Sequence, residues 1–361
     1  MLDKLYHQKV KLICGANKVN DAVKYIFMKI AIVKLSAIGD IIHTMILLQF
    51  IKKKYPESII DWFVDESLKG VLENNPHINQ IQTIRLKEGK EQKSILFFFK
   101  ELLQLRQLKK YDLVIDIQNL IKSAIVSRVI PSNQTIGLDR YSSRESLASI
   151  FYSQKYSIDH SLNIIDRNTS IIRKALNINI TNDDIDRKMP FLFFESYSFN
   201  DYISKHKPNI LLVPGASFKS KMYPLGEYAK ISNKINGNFI ILWGSPSERL
   251  IAEKIKLLSK EVIIVNKLSL DKLKALISNV DLVIGSDTGP VHMAWALNKA
   301  SITLFGSTPG YRNSYITNIN RVIESKSKVN PYKIDKNDYS IKEIQVDDIV
   351  EVAKMLLDMS E

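Results

Sequence analysis

A single cysteine, Cys14, in 361 residues leaves no partner for an intrachain disulfide and no thiolate cluster for a metal, which suits a reducing compartment. No stretch approaches the ~20 consecutive apolar residues of a spanning helix. The longest apolar runs, IAIVKL (30–35) and SILFFFKELL (94–103), are interrupted by lysines. Residues 1–27 hold no apolar h-region and no small-residue cleavage site, so a signal peptide is not expected. Fixed-period repeats and low-complexity tracts are also missing. Acidic residues are in deficit, 38 against 51 basic, a net charge of +13. That surplus suits an anionic partner such as nucleic acid, anionic lipid or a phosphorylated substrate, or serves solubility alone.

What is present is ordinary for a globular chain: 45% hydrophobic and 25% charged residues, enough for a large core. At roughly 150 residues per domain the length suggests two domains. Short apolar runs alternate with amphipathic segments. Strands are expected at Ile30–Leu35, Ile59–Val64, Ile78–Leu86, Leu113–Ile117 and Thr135–Leu138. Helices are expected at Asp40–Lys54, Ser67–Asn75, Lys93–Lys109, Lys122–Ile130 and about His160–Leu176. After an irregular stretch, 177–208, the pattern restarts from Ile210 and ends in a helix over 346–359 that either closes the second half or packs back on the first. Such alternation implies parallel strands covered on both faces, here as two Rossmann-like α/β halves. The division expected is 28–207 and 208–361. Met28 stands directly before the first strand, so 1–27 reads as a dispensable extension. Ligands of such sheets bind beyond the carboxyl ends of the strands, and the default site is the cleft between the halves.

Four loops at those ends carry candidate chemistry. In KLSAIGD (34–40), Asp40 suits a helix N-cap, a base at the cleft mouth, or both at once. A dinucleotide fingerprint would need G-x-G-x-x-G here. Only Gly39 is present, so a dehydrogenase using Asp61 for ribose is weakly supported. In PGASFKSKMYP (214–224) small residues precede Lys219 and Lys221, either of which is suited to phosphate, although the Walker spacing is absent. WGSPSE (243–248) places Glu248 as a ribose ligand or a first-turn acid. In GSDTGPVHMAWAL (285–297), Thr288 and Gly289 open a helix that can receive a pyrophosphate; alone, Asp287 reads as an orienting or ligand-touching group and His292 as a structural hydrogen-bonding one.

These loops, with YDLVIDIQNLIKSA (111–124) and RESLASIFY (144–152), together resemble the ADP-heptose:lipopolysaccharide heptosyltransferases of glycosyltransferase family 9, closest to the heptosyltransferase I branch. The likeness covers nearly all of the chain from Lys29 onward. It implies a GT-B fold, two Rossmann-like domains with an interdomain cleft, whose final helix crosses back to the first domain. It implies inverting transfer of L-glycero-D-manno-heptose from ADP-heptose to Kdo of Kdo-lipid A, without a metal or other cofactor, at the cytoplasmic face of the inner membrane. Carried over by residue, Asp40 is the base and Lys221 the pyrophosphate-contacting cation. Ser217 is a neighbouring hydroxyl, Glu248 the ribose acid and Asp287 the sugar-binding acid, with Thr288, Gly289 and His292 on the phosphate side. Ser36, Arg85, Lys87, Lys122 and Arg144 are the expected acceptor contacts. The chain departs from the family at Ala216-Ser217-Phe218-Lys219-Ser220, where Thr-Thr-Arg-Asp-Asp is common, and in a thin basic stretch at Arg85, Lys87 and Lys90. The alternatives are a heptosyltransferase acting on a later core acceptor and a non-catalytic nucleotide-sugar binder. Nucleic acid is not expected as a partner, because no recognition motif accompanies the charge.

Overall fold

A computed structural model describes residues 28–91, 95–330 and 334–359; the expectation for 1–27 lies outside them. The first lobe is built on β1 (Lys29–Val33), β2 (Ile59–Asp65), β3 (Gln80–Ile84), β4 (Tyr111–Asp116), β5 (Ser132–Leu138) and β6 (Gln154–Tyr156). They form one sheet in the order β3-β2-β1-β4-β5-β6, parallel throughout. The second lobe uses β7 (Asn209–Val213), β8 (Asn238–Ile241), β9 (Val262–Ile264), β10 (Leu282–Ser286), β11 (Ala300–Phe305) and β12 (Asn320–Glu324). Their order is β12-β11-β10-β7-β8-β9, again parallel. Continuous runs such as IAIV and NILLV are buried on both faces, as helix-covered parallel sheets require. The fold is therefore α/β with two Rossmann-like lobes. Strand order reverses at β1/β4 in one lobe and β7/β10 in the other, which are the crevices where such sheets bind ligands.

In the first lobe the helices are α1 (Ile38–Lys54), α2 (Leu86–Glu91), α3 (Ile95–Leu105), α4 (Ile121–Val129), α5 (Ile164–Leu176) and α6 (Asn182–Asp186). In the second they are α7 (Leu225–Lys234), α8 (Pro246–Leu258), α9 (Leu270–Ser278), α10 (Gly289–Ala296), α11 (Gly310–Asn313) and α12 (Val346–Asp358). Most show one apolar stripe, but α1 and α10 are buried almost all round. A helix apolar on every side must be covered on every side. Here α1 lies on the first sheet and α5, and its remaining face packs on α10 of the other lobe. One hydrophobic cluster consequently runs through both lobes, joining Ile32 and Ile46 to Met293 and Trp295.

Polar ties flank that seam. The fully buried Lys274 donates to the Glu73 carbonyl at 2.9 Å and Asn74 Nδ2 to Asp271 at 3.0 Å. At another edge Asn163 Nδ2 donates to the carbonyls of Tyr311 and Ser314, both at 2.8 Å.

Several expectations need correction. The final helix does not cross back to the first lobe. Ile349, Val350, Ala353 and Leu356 bury one stripe of α12 in the second core with Ile231 and Leu304, and Tyr223 Oη donates to the Ile344 carbonyl just before it at 2.8 Å. The helix expected over 93–109 is α3, ending at Leu105, with the separate α2 before it. The expected helix 67–75 is a 3-10 turn, Glu66–Val71. The edge strands β6 and β12 escaped notice because QKY and NRVIE are short, polar and only partly buried.

Ile349 is fully buried. Replacing it with alanine should cost about 2–4 kcal/mol through lost burial and a residual cavity, read as a lower urea midpoint for unfolding of the second lobe. An unchanged midpoint would show that α12 does not seal that core.

Candidate active site

The first loop is held from the switch point of its own sheet. Asp116, fully buried at the end of β4, accepts from the backbone N–H of Gln118 at 2.8 Å and of Asn119 at 2.9 Å, and from Tyr152 Oη at 2.8 Å. Burial raises its pKa, and these hydrogen bonds pull against that rise. The turn so formed, with Asn119 at φ 55°, aims Gln118 at the neighbouring loop. Its Oε1 accepts from Leu35 N at 2.7 Å and Ser36 N at 3.1 Å. Two backbone donors beyond β1 are thereby satisfied and the loop is fixed.

Asp40 is not the N-cap of α1. Ala37 holds that position, and Asp40, three residues on, accepts from the Ala37 N–H at 3.3 Å through Oδ2. Its Oδ1 lies 3.8 Å from the ammonium of Lys34, a buried lysine, while the Asp40 side chain stays 46% exposed. Both the cap and the charge tolerate an approaching substrate, because neither takes the carboxylate out of solvent. Next to it, a Cβ on Gly39 would stand 2.7 Å from the His292 ring, and one on Gly289 would stand 2.4 Å from Ile38 Cγ2. The loops of the two lobes therefore touch through glycine.

The second lobe answers with a charged array. Lys221, in the 3-10 turn Lys219–Lys221 after β7, donates to Asp287 Oδ2 at 2.6 Å. Asp287 Oδ1 lies 3.0 Å from His292 Nε2, and His292 Nδ1 lies 3.1 Å from Nε2 of His43 on α1. Burial works against ionising Asp287, but the His292 hydrogen bond and the Lys221 charge outweigh it and hold the carboxyl well below the usual range. A carboxylate only accepts, so His292 Nε2 carries a proton. The His292–His43 hydrogen bond crosses between the lobes. Burial, then His292, lowers the His43 pKa well below its ordinary value against the pull of Asp287. His43 is thus neutral at pH 7.

Thr288 precedes α10 as its N-cap residue without a side-chain cap bond. Its hydroxyl donates instead to the Ser286 carbonyl at 3.2 Å. With no side-chain cap in place, the first turn of α10 presents its positive end beside Lys221 and Asp287, a suitable place for a diphosphate. Glu248 is engaged in a capping box: Oε2 accepts from Gly244 N at 2.7 Å and Ser245 N at 3.0 Å. Its other oxygen lies beside Gly215, so the loops after β7 and β8 form one wall. Ser217 and Lys219 are exposed on that wall.

The expected acceptor contacts are less gathered. Ser36 is half-buried, its hydroxyl 3.4 Å from Gln118 Nε2. Lys122 is exposed in the first turn of α4 and Arg144 is exposed in the segment before the 3-10 turn Ser146–Phe151. Arg85 is already engaged, donating to Glu101 Oε1 through Nη2 at 2.7 Å and Nε at 3.2 Å. The Lys87 side chain lies outside the described residues. Asp61 sits buried within β2 and accepts from Tyr111 Oη at 2.6 Å, which leaves the dehydrogenase reading without a ribose ligand. Among the described residues no three His, Cys, Asp or Glu side chains gather in metal-holding geometry. His43, Lys34 and Gln118 were missed by sequence reasoning. For His43 the signal was a lone histidine in an otherwise apolar helix, one turn beyond Asp40.

A histidine kept neutral by the fold makes stability pH-dependent. In the unfolded chain His43 titrates near 6.5. As pH falls below that value the unfolded chain takes up a proton that the native chain does not, so stability is lost as pH falls. The drop in urea midpoint between pH 7 and 5.5 should therefore shrink in His43→Asn. An equal drop in both chains would mean that His43 is not held neutral.

Known proteins resemble the chain in sequence and in fold. A profile described as Glycosyltransferase family 9 (heptosyltransferase) matches residues 100–338. Lipopolysaccharide heptosyltransferase 1 of Campylobacter coli is 37% identical over 348 residues, 91% of this chain and 99% of its own. The protein of that name from Escherichia coli K12 is 25% identical over 300 residues, 80% of this chain and 91% of its own. The solved structure of E. coli heptosyltransferase WaaC with ADP superposes with a TM-score of 0.74 at 21% identity, covering 91% of this chain and 100% of that one. The glycosyl transferase family 9 structure from Veillonella parvula gives 0.77 at 19% identity, covering 91% and 97%. These likenesses to solved structures place the two lobes in the GT-B fold, and the sequence matches settle the rest: the chain belongs to glycosyltransferase family 9, the heptosyltransferases.

Proposed function

We propose that this glycosyltransferase is a lipopolysaccharide heptosyltransferase I, moving L-glycero-D-manno-heptose from ADP-heptose to Kdo of Kdo-lipid A. Two things support the reading: the Campylobacter coli relative of that name, matched over 99% of its length, and the site itself. The observation that carries the chemistry is the Lys221–Asp287 pair at the mouth of α10, beside the loop that carries Asp40.

The donor diphosphate lies at the first turn of α10, with Lys221 as its cation. Lys221 is 12% exposed and so is Asp287, so the lysine is preorganised, held in place before the ligand arrives. Asp287 shares its carboxylate between Lys221 and His292, and in this reading it meets the sugar from that fixed position. Glu248 faces the ribose, and Ser217, Thr288 and Gly289 line the phosphate side.

Asp40 removes the proton of the acceptor hydroxyl as that oxygen bonds to the anomeric carbon. The bond from that carbon to the diphosphate breaks on the opposite face, and ADP leaves. The result is inversion through an oxocarbenium-like transition state. Charge gathering on the diphosphate is met by Lys221 and the N–H groups of α10, donors that can contribute ~3–4 kcal/mol each. In this reading they supply the electrostatic help that a divalent metal gives in other enzymes, and no cofactor takes part. Ser36, Lys122 and Arg144 face the acceptor, whose Kdo carboxylates and lipid A phosphates suit them; Arg85 and Lys87 belong to the same basic rim. No helix among the described residues is long and apolar enough to cross a membrane, and we place the chain peripherally on the cytoplasmic face of the inner membrane, drawn by anionic headgroups.

The test is ADP release from ADP-heptose with Kdo-lipid A as acceptor, set against an already heptosylated acceptor. Faster turnover on the latter would move the chain to a later step of the core. Asp40→Asn should lower turnover by ~10²–10⁴ while leaving ADP-heptose affinity near that of the parent. Lys221→Ala should weaken both. Near-parental turnover in Asp40→Asn would remove Asp40 as the base.

A further inference from the structure

Among the described residues nothing covers the outer face of α3. Leu102 and Leu105 seat the helix on the first sheet, while Leu96, Phe99 and Leu103 stand 77%, 55% and 60% exposed on its opposite side. Spaced i, i+3 and i+7, the three fall within about 60° of arc on a helix of 3.6 residues per turn. Lys100 and Arg106, both exposed, border this stripe on its two sides, and exposed Lys109 and Lys110 follow the helix. The one acid on α3, Glu101, is buried and paired with Arg85. The neighbouring helix α4 packs against both α3 and the 3-10 turn Ser146–Phe151, where Leu147 and Ile150 are again exposed at 63% and 67%.

We propose that the Leu96–Phe99–Leu103 stripe is the element by which the chain enters the surface of an anionic lipid bilayer. Apolar side chains flanked on both sides by long cations are what an interfacial helix needs: the apolar face sinks to the acyl boundary and the ammonium and guanidinium groups stay among the headgroups. A second copy of the chain fits less well. A stable interface removes about 800 Å² per partner, roughly 20–30 residues a side, and a stripe of three apolar side chains is small against that. A two-fold pairing would also set Lys100 and Arg106 of the two copies against each other. The proposal rests on the peripheral placement given above and adds the surface responsible for it.

Co-sedimentation of the full chain with phosphatidylglycerol-containing vesicles, without acceptor, tests it. The parent should bind these and not phosphatidylcholine vesicles. Leu96→Asp combined with Leu103→Asp should weaken binding at least about tenfold, in keeping with marginal interfacial anchoring. The variant should keep its melting temperature and its transfer to a detergent-dispersed acceptor. Leu257→Asp, at an 83% exposed site on the other lobe, should change nothing. Equal binding by parent and double variant would overturn the assignment. So would a parental dimer that the double variant dissolves, which would show a second copy on the stripe. Transfer to dispersed acceptor by a parent that ignores anionic vesicles would remove this face and leave the activity. Stripe-dependent binding in a chain that transfers no heptose would keep the face and remove the activity.

Discussion

The seam between α1 and α10 is the constraint on which the rest depends. The middle of each helix is buried on nearly every side, so each lobe presents an apolar surface that the other covers. Closing the seam brings Gly39 onto His292 and Gly289 onto Ile38, contacts that a side chain on either glycine would push apart. The loops after β1 and β10 meet as a consequence, and catalytic candidates from opposite halves of the chain share one cleft.

The polar groups inside the seam are arranged with little slack. Lys221, Asp287, His292 and His43 form a continuous series of contacts from the second lobe into the first. Each member limits the next: the lysine and histidine keep Asp287 ionised, the carboxylate holds His292 Nε2, and His292 gives buried His43 a partner. A buried charge with one neighbour removed is costly, so the array resists piecemeal change. Its outer end, the Lys221 ammonium beside the start of α10, is where an anionic ligand gains most. Positioning of the cation and packing of the lobes are therefore one physical problem.

Asp40 is held more loosely. It combines one backbone hydrogen bond with a distant lysine and stays half in water, so an incoming ligand can reach it. Rigidity is supplied from beneath, by Asp116 and Gln118 at the switch point of the first sheet. A rigid charged array and an accessible carboxylate are thus consequences of different local burial on two similar sheets.

Much of this was legible from residue order. Alternation of apolar runs with helical spacing determines two parallel sheets, because only a strand buried on both faces can be continuously apolar. The loops at the strand ends follow from that topology; what singles out Asp40, Lys221, Glu248 and Asp287 within them is the resemblance to the heptosyltransferases. Tertiary structure decided what depends on partners far along the chain. That α12 stays on the second core was invisible, since a helical stripe does not say which apolar surface it meets. That His43 faces His292, 249 residues away, and that Arg85 is taken up by Glu101, depend on which side chains the packed lobes bring within hydrogen-bond reach. Sequence spacing carries no information about that distance.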